Sequence, residues 1–429
     1  MFSTSDSQNR TMVAATAIFN QPKVDSCLEP VEHTVSDKLT CIEFFSGIGL
    51  THLGLSSHGW KCVYANDIEP KKKHMYEDCF GPADYYHVED VWRTNRILER
   101  IPPQRTDLAT ASFPCVDLSL AGNLKGLSGS QSGSFYGFIK VMKKLRQQSR
   151  SPKAVLIENV IGFLTSHDGK FFRIALQELA DLGYFVDAFV VDAKHFTPQS
   201  RPRVFVVGFE EPLIPAQHYQ PYLFSDGLLS ENPEPLESAL RPRRLLEKII
   251  TTKLKTGWVP LCLPRLPREN RSLHKCIDTD DAQDWWVGWR VKKHLDEMHS
   301  EHLRRITLLK KGAEISVGTI YRRVRYGKSR SEIRTDGLAG CLRTPRGGSS
   351  KQIVFTAGKG KIRMRWMTPR EYARLQGCPN YPINVERNEA LWGFGDAVCV
   401  PVIGWIAENA LSQLFPAANT RQLQQAACD

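Results

Sequence analysis

The chain has 429 residues, enough for two or three domains that each bury a core of their own. A formal net charge of +11 and a pI near 9.1 favour a polyanionic partner. Eleven cysteines spread from Cys27 to Cys428 without a CxxC pair, which excludes a disulfide scaffold or a zinc ribbon and suits reduced thiols in the cytoplasm. No uninterrupted run of roughly 18 apolar residues is visible, so no membrane span is expected. The opening residues Met1-Phe2-Ser3-Thr4-Ser5-Asp6 lack the basic and apolar regions of a signal peptide. Basic runs concentrate between Arg241 and Arg374, for example Arg241-Arg243-Arg244, Arg322-Arg323-Arg325 and Lys359-Lys361-Arg363-Arg365.

Residues 1–38 are polar and weakly periodic and read as an N-terminal arm. Leu39 to Phe45 is a short apolar run that predicts a buried strand, followed by Ser46-Gly47-Ile48-Gly49-Leu50 and a helix to His58. Strand, glycine turn and helix form a cradle in which Gly47 and Gly49 let a ligand approach the backbone. The motif lacks a third glycine, so a dinucleotide site is only one option. Cys62 to Asp67 predicts a second strand ending in an acid, the place where a ribose is held in nucleotide-binding α/β folds. Tyr85 to Val91 predicts a third strand, bringing Asp90 to the same edge. The next strand ends near Thr110 and delivers Ser112-Phe113-Pro114-Cys115, where Pro114 fixes the backbone before a thiol. A loop rich in Gly and Ser follows, from Val116 to Ser134, and suits a lid over a covalent nucleophile.

Phe135 to Gln148 predicts a helix with Phe138, Val141, Met142 and Leu145 on its core face. Ala154 to Ile157 predicts a strand that ends in Glu158-Asn159-Val160. A helix over Phe171–Leu182, a strand over Phe185–Val191 and a strand over Val204–Gly208 follow, the last preceded by Gln199, Arg201 and Arg203. Arg201 and Arg203 share a face in extended chain. From Glu211 to Ser272 the sequence is rich in proline. Lys292 to Ile306 predicts one charged helix, and Tyr321 to Lys328 interleaves aromatics with arginine in a way that suits phosphate and base contacts. Thr344 to Lys351 predicts a glycine loop with basic flanks. Thr368-Pro369-Arg370-Glu371 opens a helix, Trp392 to Val398 predicts a glycine turn, and Val402 to Leu414 a last helix.

In this order the motifs resemble those of the DNA (cytosine-5)-methyltransferases of bacterial and phage type. The resemblance rests on Phe44-Phe45-Ser46-Gly47-Ile48-Gly49, Asp67, Asp90, Phe113-Pro114-Cys115, Glu158-Asn159-Val160, Gln199/Arg201/Arg203, Arg374-Leu375-Gln376-Gly377-Cys378-Pro379 and Gly395-Asp396-Ala397-Val398. Three positions depart from the family pattern: Val116 stands where Gln is usual, Asp396 where Asn is usual, and Gly133-Ser134-Phe135-Tyr136 replaces an Arg-Gly pattern. The resemblance implies an α/β, Rossmann-like, S-adenosylmethionine-dependent methyltransferase domain with a smaller, mixed target-recognition domain inserted before the C-terminal motifs. The expected division is arm 1–38, catalytic domain 39–209, target-recognition domain 210–363, and a C-terminal return over 364–429.

The resemblance also assigns roles. Cys115 adds to carbon 6 of cytosine, Glu158 serves the ring at N3, and Arg203 and Arg201 hold O2. The cofactor, S-adenosyl-L-methionine, leaves as S-adenosyl-L-homocysteine, and no metal is called for. Its expected contacts are Phe44, Ser46, Gly47, Gly49, Leu50, Asp67, Ile68, Asp90, Val91, Pro114, Asp396, Ala397 and Val398. Expected DNA contacts are Ser119, Gly122, Asn159, Gln199, Arg322, Arg323, Arg325, Arg343 and Arg346. The expected partner is double-stranded DNA, met by a monomer in a prokaryotic cytoplasm. A cognate restriction endonuclease or an anti-phage defence system is compatible with the layout. A tRNA cytosine-5 methyltransferase with the same fold and chemistry is the alternative.

Overall fold

The structure, a computed structural model, describes residues 38–114, 133–210, 237–325, 327–345 and 350–415. Seven strands form the larger sheet: β1 Leu39–Phe44, β2 Trp60–Asp67, β3 Tyr86–Val88, β4 Leu108–Ala111, β5 Ala154–Val160, β6 Phe185–Asp192 and β7 Pro202–Phe209. Their order is β3-β2-β1-β4-β5-β7-β6. The first five run parallel, and β7 enters antiparallel between β5 and β6. Register places Phe44 beside both Asn66 and Ala111, and Ala111 beside Ile157. The carboxyl ends of β1, β2, β4 and β5 therefore finish at one edge, where open α/β sheets carry their sites.

Both faces of this sheet are covered, which is why its strands are apolar on both sides. One face packs against the helices Thr94–Arg100, Gly133–Gln147 and Lys170–Asp181. In the second of these, Phe138, Val141, Met142 and Leu145 are fully buried at helical spacing. Each contributes about 1.5–3 kcal/mol of burial. The other face packs against Leu50–Ser56, Pro70–Phe80 and, from the far end of the chain, Pro369–Leu375, Arg387–Asp396 and Val400–Ile406. The stretch Arg387–Leu414 is long and apolar enough by composition to cross a membrane, yet 72% of its most apolar window is buried in this core.

A second sheet, order β11-β10-β8-β9, is antiparallel throughout and consists of β8 Ser316–Arg325, β9 Lys328–Arg334, β10 Ile353–Gly358 and β11 Lys361–Trp366. The helices Gly288–Asp296 and Ser300–Lys310 pack on it around Ile306, Ile320, Ile353, Phe355 and Met364.

Beyond the expected boundary at 209/210, residues 240–261 pack against the larger sheet. There Leu240 accepts from the Val190 amide at 2.7 Å, and Trp258 is fully buried. Three expectations change. The boundary at 363/364 cuts β11, whose pairing with β10 runs on to Trp366. The single helix over Lys292–Ile306 is two, broken where His299 is extended and caps the second through Glu301. Finally, Trp392 to Asp396 is helical. Gly393 and Gly395 serve close packing, since a Cβ on Gly393 would lie 2.7 Å from Ile48 and one on Gly395 2.6 Å from the Arg343 backbone.

Candidate active site

The tip of β1 turns sharply. Phe45 adopts φ 58°, a left-handed conformation that is unfavourable for a bulky residue and is held only by its surroundings. Gly47 (φ 57°) and Gly49 (φ 79°) continue the turn. A Cβ on Gly49 would strike Phe80 at 2.5 Å and Tyr76 at 2.6 Å, whereas above Gly47 nothing lies nearer than Lys72 Cδ at 3.9 Å. One glycine is needed for packing and the other leaves open space. Asp67 anchors the turn: its Oδ2 accepts from the Gly47 amide at 3.0 Å and its Oδ1 from the Glu69 amide at 3.0 Å. Ser46 donates to the Glu43 carbonyl at 2.8 Å, and Tyr86 to the Gly47 carbonyl at 2.9 Å. Ile68 is 67% exposed beside this turn, an apolar side chain presented at the strand tip. Asp90 is half-buried and accepts from the Trp92 amide at 3.0 Å.

Several expected cofactor contacts are core residues instead. Phe44 packs on Tyr64 and Phe138, with ring centroids 5.8 and 5.1 Å away. Leu50, Val91 and Val398 are likewise buried. Alternation along β1 sends Phe44 inward and leaves the half-buried Phe45 at the edge, where it meets Phe113. Sequence reasoning missed Phe45, although the doubled phenylalanine carried the signal.

The catalytic edge lies at β4, β5 and β7. Phe113 is buried against Phe135 and Phe163, and Pro114 is exposed. Cys115, Ser119 and Gly122 lie outside the described residues, as does Arg346. Asn159 is 2% exposed and donates to the Phe113 carbonyl at 3.2 Å, while its own oxygen accepts from the Val160 amide at 2.9 Å. Its side chain thus braces the turn at Phe113. The neighbouring Glu158 points to the opposite face, as strand geometry requires, and its Oε1 lies 2.9 Å from Arg203 Nε.

Arg203 also donates to the Pro202 carbonyl at 2.9 Å, and its Nη2 lies 3.7 Å from Cys341 Sγ. Burial works against its charge, but Cys341 and Glu158 more than offset this and its pKa is raised. Arg201 is different. It is 3% exposed, and its guanidinium donates to Leu342 O at 2.9 Å, Gly395 O at 3.1 Å and Ala397 O at 2.6 Å. Burial, with Arg203 next to it, lowers its pKa. These bonds make Arg201 a clamp on two chain segments. Gln199 is fully buried, donates to Leu375 O at 2.9 Å and accepts from the Leu342 amide at 3.1 Å. Cys341, which the sequence did not flag, sits against both arginines. Burial pushes its thiol up, but Arg201, Arg203 and Arg343 together bring the pKa below the ordinary value.

On the second sheet, Arg322 and Arg323 take opposite faces of β8. Arg322 lies 4.6 Å over the Trp366 ring, beside Arg290 stacked 3.9 Å over Trp286. Arg323 is exposed and pairs with Glu332 at 3.4 Å. The two cannot meet one DNA surface in the same way. Arg343 is exposed, and Arg325 closes β8.

The family profile described as C-5 cytosine-specific DNA methylase matches residues 39–412. The chain belongs to that family. Among its relatives, the type II methyltransferase M.HpaII of Haemophilus parainfluenzae is 27% identical over 411 residues, covering 91% of this chain and 94% of its own. The type II methyltransferase M.HhaI of Haemophilus parahaemolyticus is 26% identical over 378 residues, covering 88% and 95%. The solved methyltransferase EhMeth of Entamoeba histolytica superposes with a TM-score of 0.53 at 15% identity, over 89% of this chain and 99% of that one, a likeness of fold. The protein is a cytosine-C5 DNA methyltransferase of bacterial type, and its larger sheet is the Rossmann-like methyltransferase sheet.

Proposed function

We propose that this methyltransferase moves the methyl group of S-adenosylmethionine to carbon 5 of a cytosine flipped out of a specific double-stranded DNA sequence, through a covalent bond between Cys115 and carbon 6. The observation that carries the reading is the meeting of three strand ends. Asn159 holds the Phe113 carbonyl two residues before Cys115, and the Glu158–Arg203 pair stands on the adjoining strands.

Addition of the Cys115 thiolate to carbon 6 pushes an electron pair toward N3 and O2 and makes carbon 5 nucleophilic. Glu158 serves N3 and Arg203 offers N–H donors toward O2, so charge developing on the ring meets groups already in place. The bound cofactor supplies an electrophilic methyl group. After transfer, a base removes the carbon 5 proton and Cys115 leaves by elimination, so the thiol is regenerated.

The tips of β1 to β3 suit the cofactor. The open space above Gly47, the exposed Ile68 and the half-buried Phe45 provide room and apolar surface, and Asp67 keeps acceptor capacity on both oxygens. A base inside a duplex is out of reach of these strand tips, which is why flipping is part of the proposal. The second sheet is the reader we propose for the flanking bases. It carries arginines on both faces and exposes Val324, with Val287 and Trp289 exposed nearby in sequence to its stacked Trp286. As with other type II modification enzymes, a cognate endonuclease is the partner class to seek.

The test is bisulfite sequencing of DNA from cells expressing the wild type or Cys115→Ala, with labelled methyl transfer to duplex DNA and to tRNA in parallel. Methylated cytosine at one sequence in the wild type, and none in the variant, is expected. Turnover by Cys115→Ala would overturn the covalent route, and transfer to tRNA alone would overturn the substrate.

A further inference from the structure

Lys71, Lys72 and Lys73 open the helix Pro70–Phe80 and look like a solvated basic run. The structure separates them. Lys71 pairs outward with Glu389, and Lys73 with Glu77 at 3.4 Å. Lys72 turns inward. Its side chain is 18% exposed, and its Nζ lies 3.6 Å from Asp67 Oδ2 and 3.2 Å from Asp396 Oδ2.

The placement needs an explanation, because a cation in the first turn of a helix stands at the unfavourable end of the dipole. Burial also acts against its charge, but Asp67 and Asp396 more than offset this and keep Lys72 protonated. The two acids come from opposite ends of the chain: Asp67 ends β2 and Asp396 ends the helix Arg387–Asp396. Asp67 Oδ2 is the same atom that takes the Gly47 amide, and the Lys72 stem is the nearest group to the open space above Gly47. Asp396 is held further by the Trp392 indole at 3.1 Å.

We propose that Lys72 is a positioning residue for the cofactor, a charge lock that keeps Asp67 and Asp396 together at one cleft and so sets cofactor affinity. This rests on the reading that the β1–β2 tips hold S-adenosylmethionine. Without the ammonium, the buried Asp67 carboxylate and the exposed Asp396 carboxylate repel, the Asp67 hold on the glycine turn loosens, and the C-terminal helix end drifts from the cleft.

Calorimetric titration of the full chain with S-adenosylhomocysteine tests this without turnover. Lys72→Met is expected to weaken binding by roughly tenfold, the scale of a partly buried ion pair. Lys72→Arg, which keeps the charge, is expected to stay within about threefold of the wild type, and Lys72→Met/Asp396→Asn to recover at least half of the loss on a logarithmic scale, since it removes the repulsion. Equal binding by the wild type and Lys72→Met overturns the proposal, and so does a double variant no better than Lys72→Met. If Lys72→Met does not fold, Lys72→Arg and Asp396→Asn are titrated against salt. A wild-type affinity that does not change with salt, or a Lys72→Arg variant that loses binding while folded, overturns the proposal. Failure of the wild type to bind S-adenosylhomocysteine overturns the cofactor reading, and the proposal with it.

Discussion

Arg201→Met separates a clamp from a catalytic group. In the folded protein the Arg201 guanidinium serves the carbonyls of Leu342, Gly395 and Ala397 at 2.9, 3.1 and 2.6 Å. A charge-assisted bond of this kind contributes about 1.5–3 kcal/mol. Three of them exceed the cost of enclosing the guanidinium, which is itself several kcal/mol. Methionine refills the volume but removes all three bonds, leaving Ala397 O with Gln376 Nε2 at 3.0 Å and Leu342 O with the Cys341 thiol, so a net loss of roughly 3–4 kcal/mol follows. At about 2 °C per kcal/mol for a chain of this size, thermal unfolding monitored by circular dichroism shifts down by roughly 6–8 °C. S-adenosylhomocysteine binding weakens too, because the 395–397 turn loses its anchor. Arg203→Met makes the contrast. It faces Glu158, so kcat falls by about 10²–10³ with a smaller change in Tm. An Arg201→Met variant with wild-type Tm and lost kcat would refute the reasoning and return Arg201 to the substrate.

Three further outcomes follow from buried groups. Glu43, 2% exposed, has its pKa raised from 4.5 to about 8 by burial, so between these values the folded state keeps a proton that the unfolded state gives up. Stability therefore falls as pH rises across that window, by up to about 1.4 kcal/mol per unit, and urea denaturation of Glu43→Gln across pH 5–8 should show that slope removed. Asp187, fully buried, takes Arg241 Nη2 at 2.5 Å, Trp258 Nε1 at 2.9 Å and the Leu261 amide at 3.0 Å; Asp187→Ala strands the arginine and should cost about 3–5 kcal/mol by the same assay. Gly393→Ala drives a methyl group into Ile48 and Met75, costing about 1–3 kcal/mol, and should raise KM for S-adenosylmethionine more than it lowers kcat.

The strands of the larger sheet were legible because each is a short apolar run closed by a glycine, an acid or a proline. The antiparallel entry of β7 was not, since local pattern carries no strand order. The site was legible by position more than by side-chain role. Glu158 and Arg203 do meet, while Asn159, Gln199 and Arg201, read as reactive or DNA-facing from the motifs they stand in, are hydrogen-bonded inside the fold. A buried polar residue looks the same in sequence as an exposed one; only its partners distinguish them, and these lie far away in the chain. The same limit hid Lys72 within a lysine run and Cys341 within the recognition segment. The β10–β11 hairpin went unread because β11 carries Lys361, Arg363 and Arg365, which read as a basic run. Arg365 in β11 is 1% exposed and forms a bidentate pair with Glu371, so a residue counted as surface charge is core.

That long-range bonding also explains how the second sheet is joined to the larger one. After β9 the chain crosses directly over the arginine strand. Ser200 donates to Ala339 O at 2.9 Å, Ala339 donates to Pro198 O at 2.7 Å, and Gln199 and Arg201 bind Leu342 from either side. Arg201 then reaches the 395–397 turn, whose Asp396 faces Lys72 and, through it, Asp67. One continuous line of hydrogen bonds and ion pairs thus connects the exit of the second sheet, the Arg203–Glu158 edge and the glycine turn. At this crossing Gln199, Arg201, Ala339 and Leu342 are all buried and bonded to one another's segments, so the joint has little slack. The segment 339–342 is therefore the structural joint between the second sheet, the Arg203–Glu158 pair and the glycine turn.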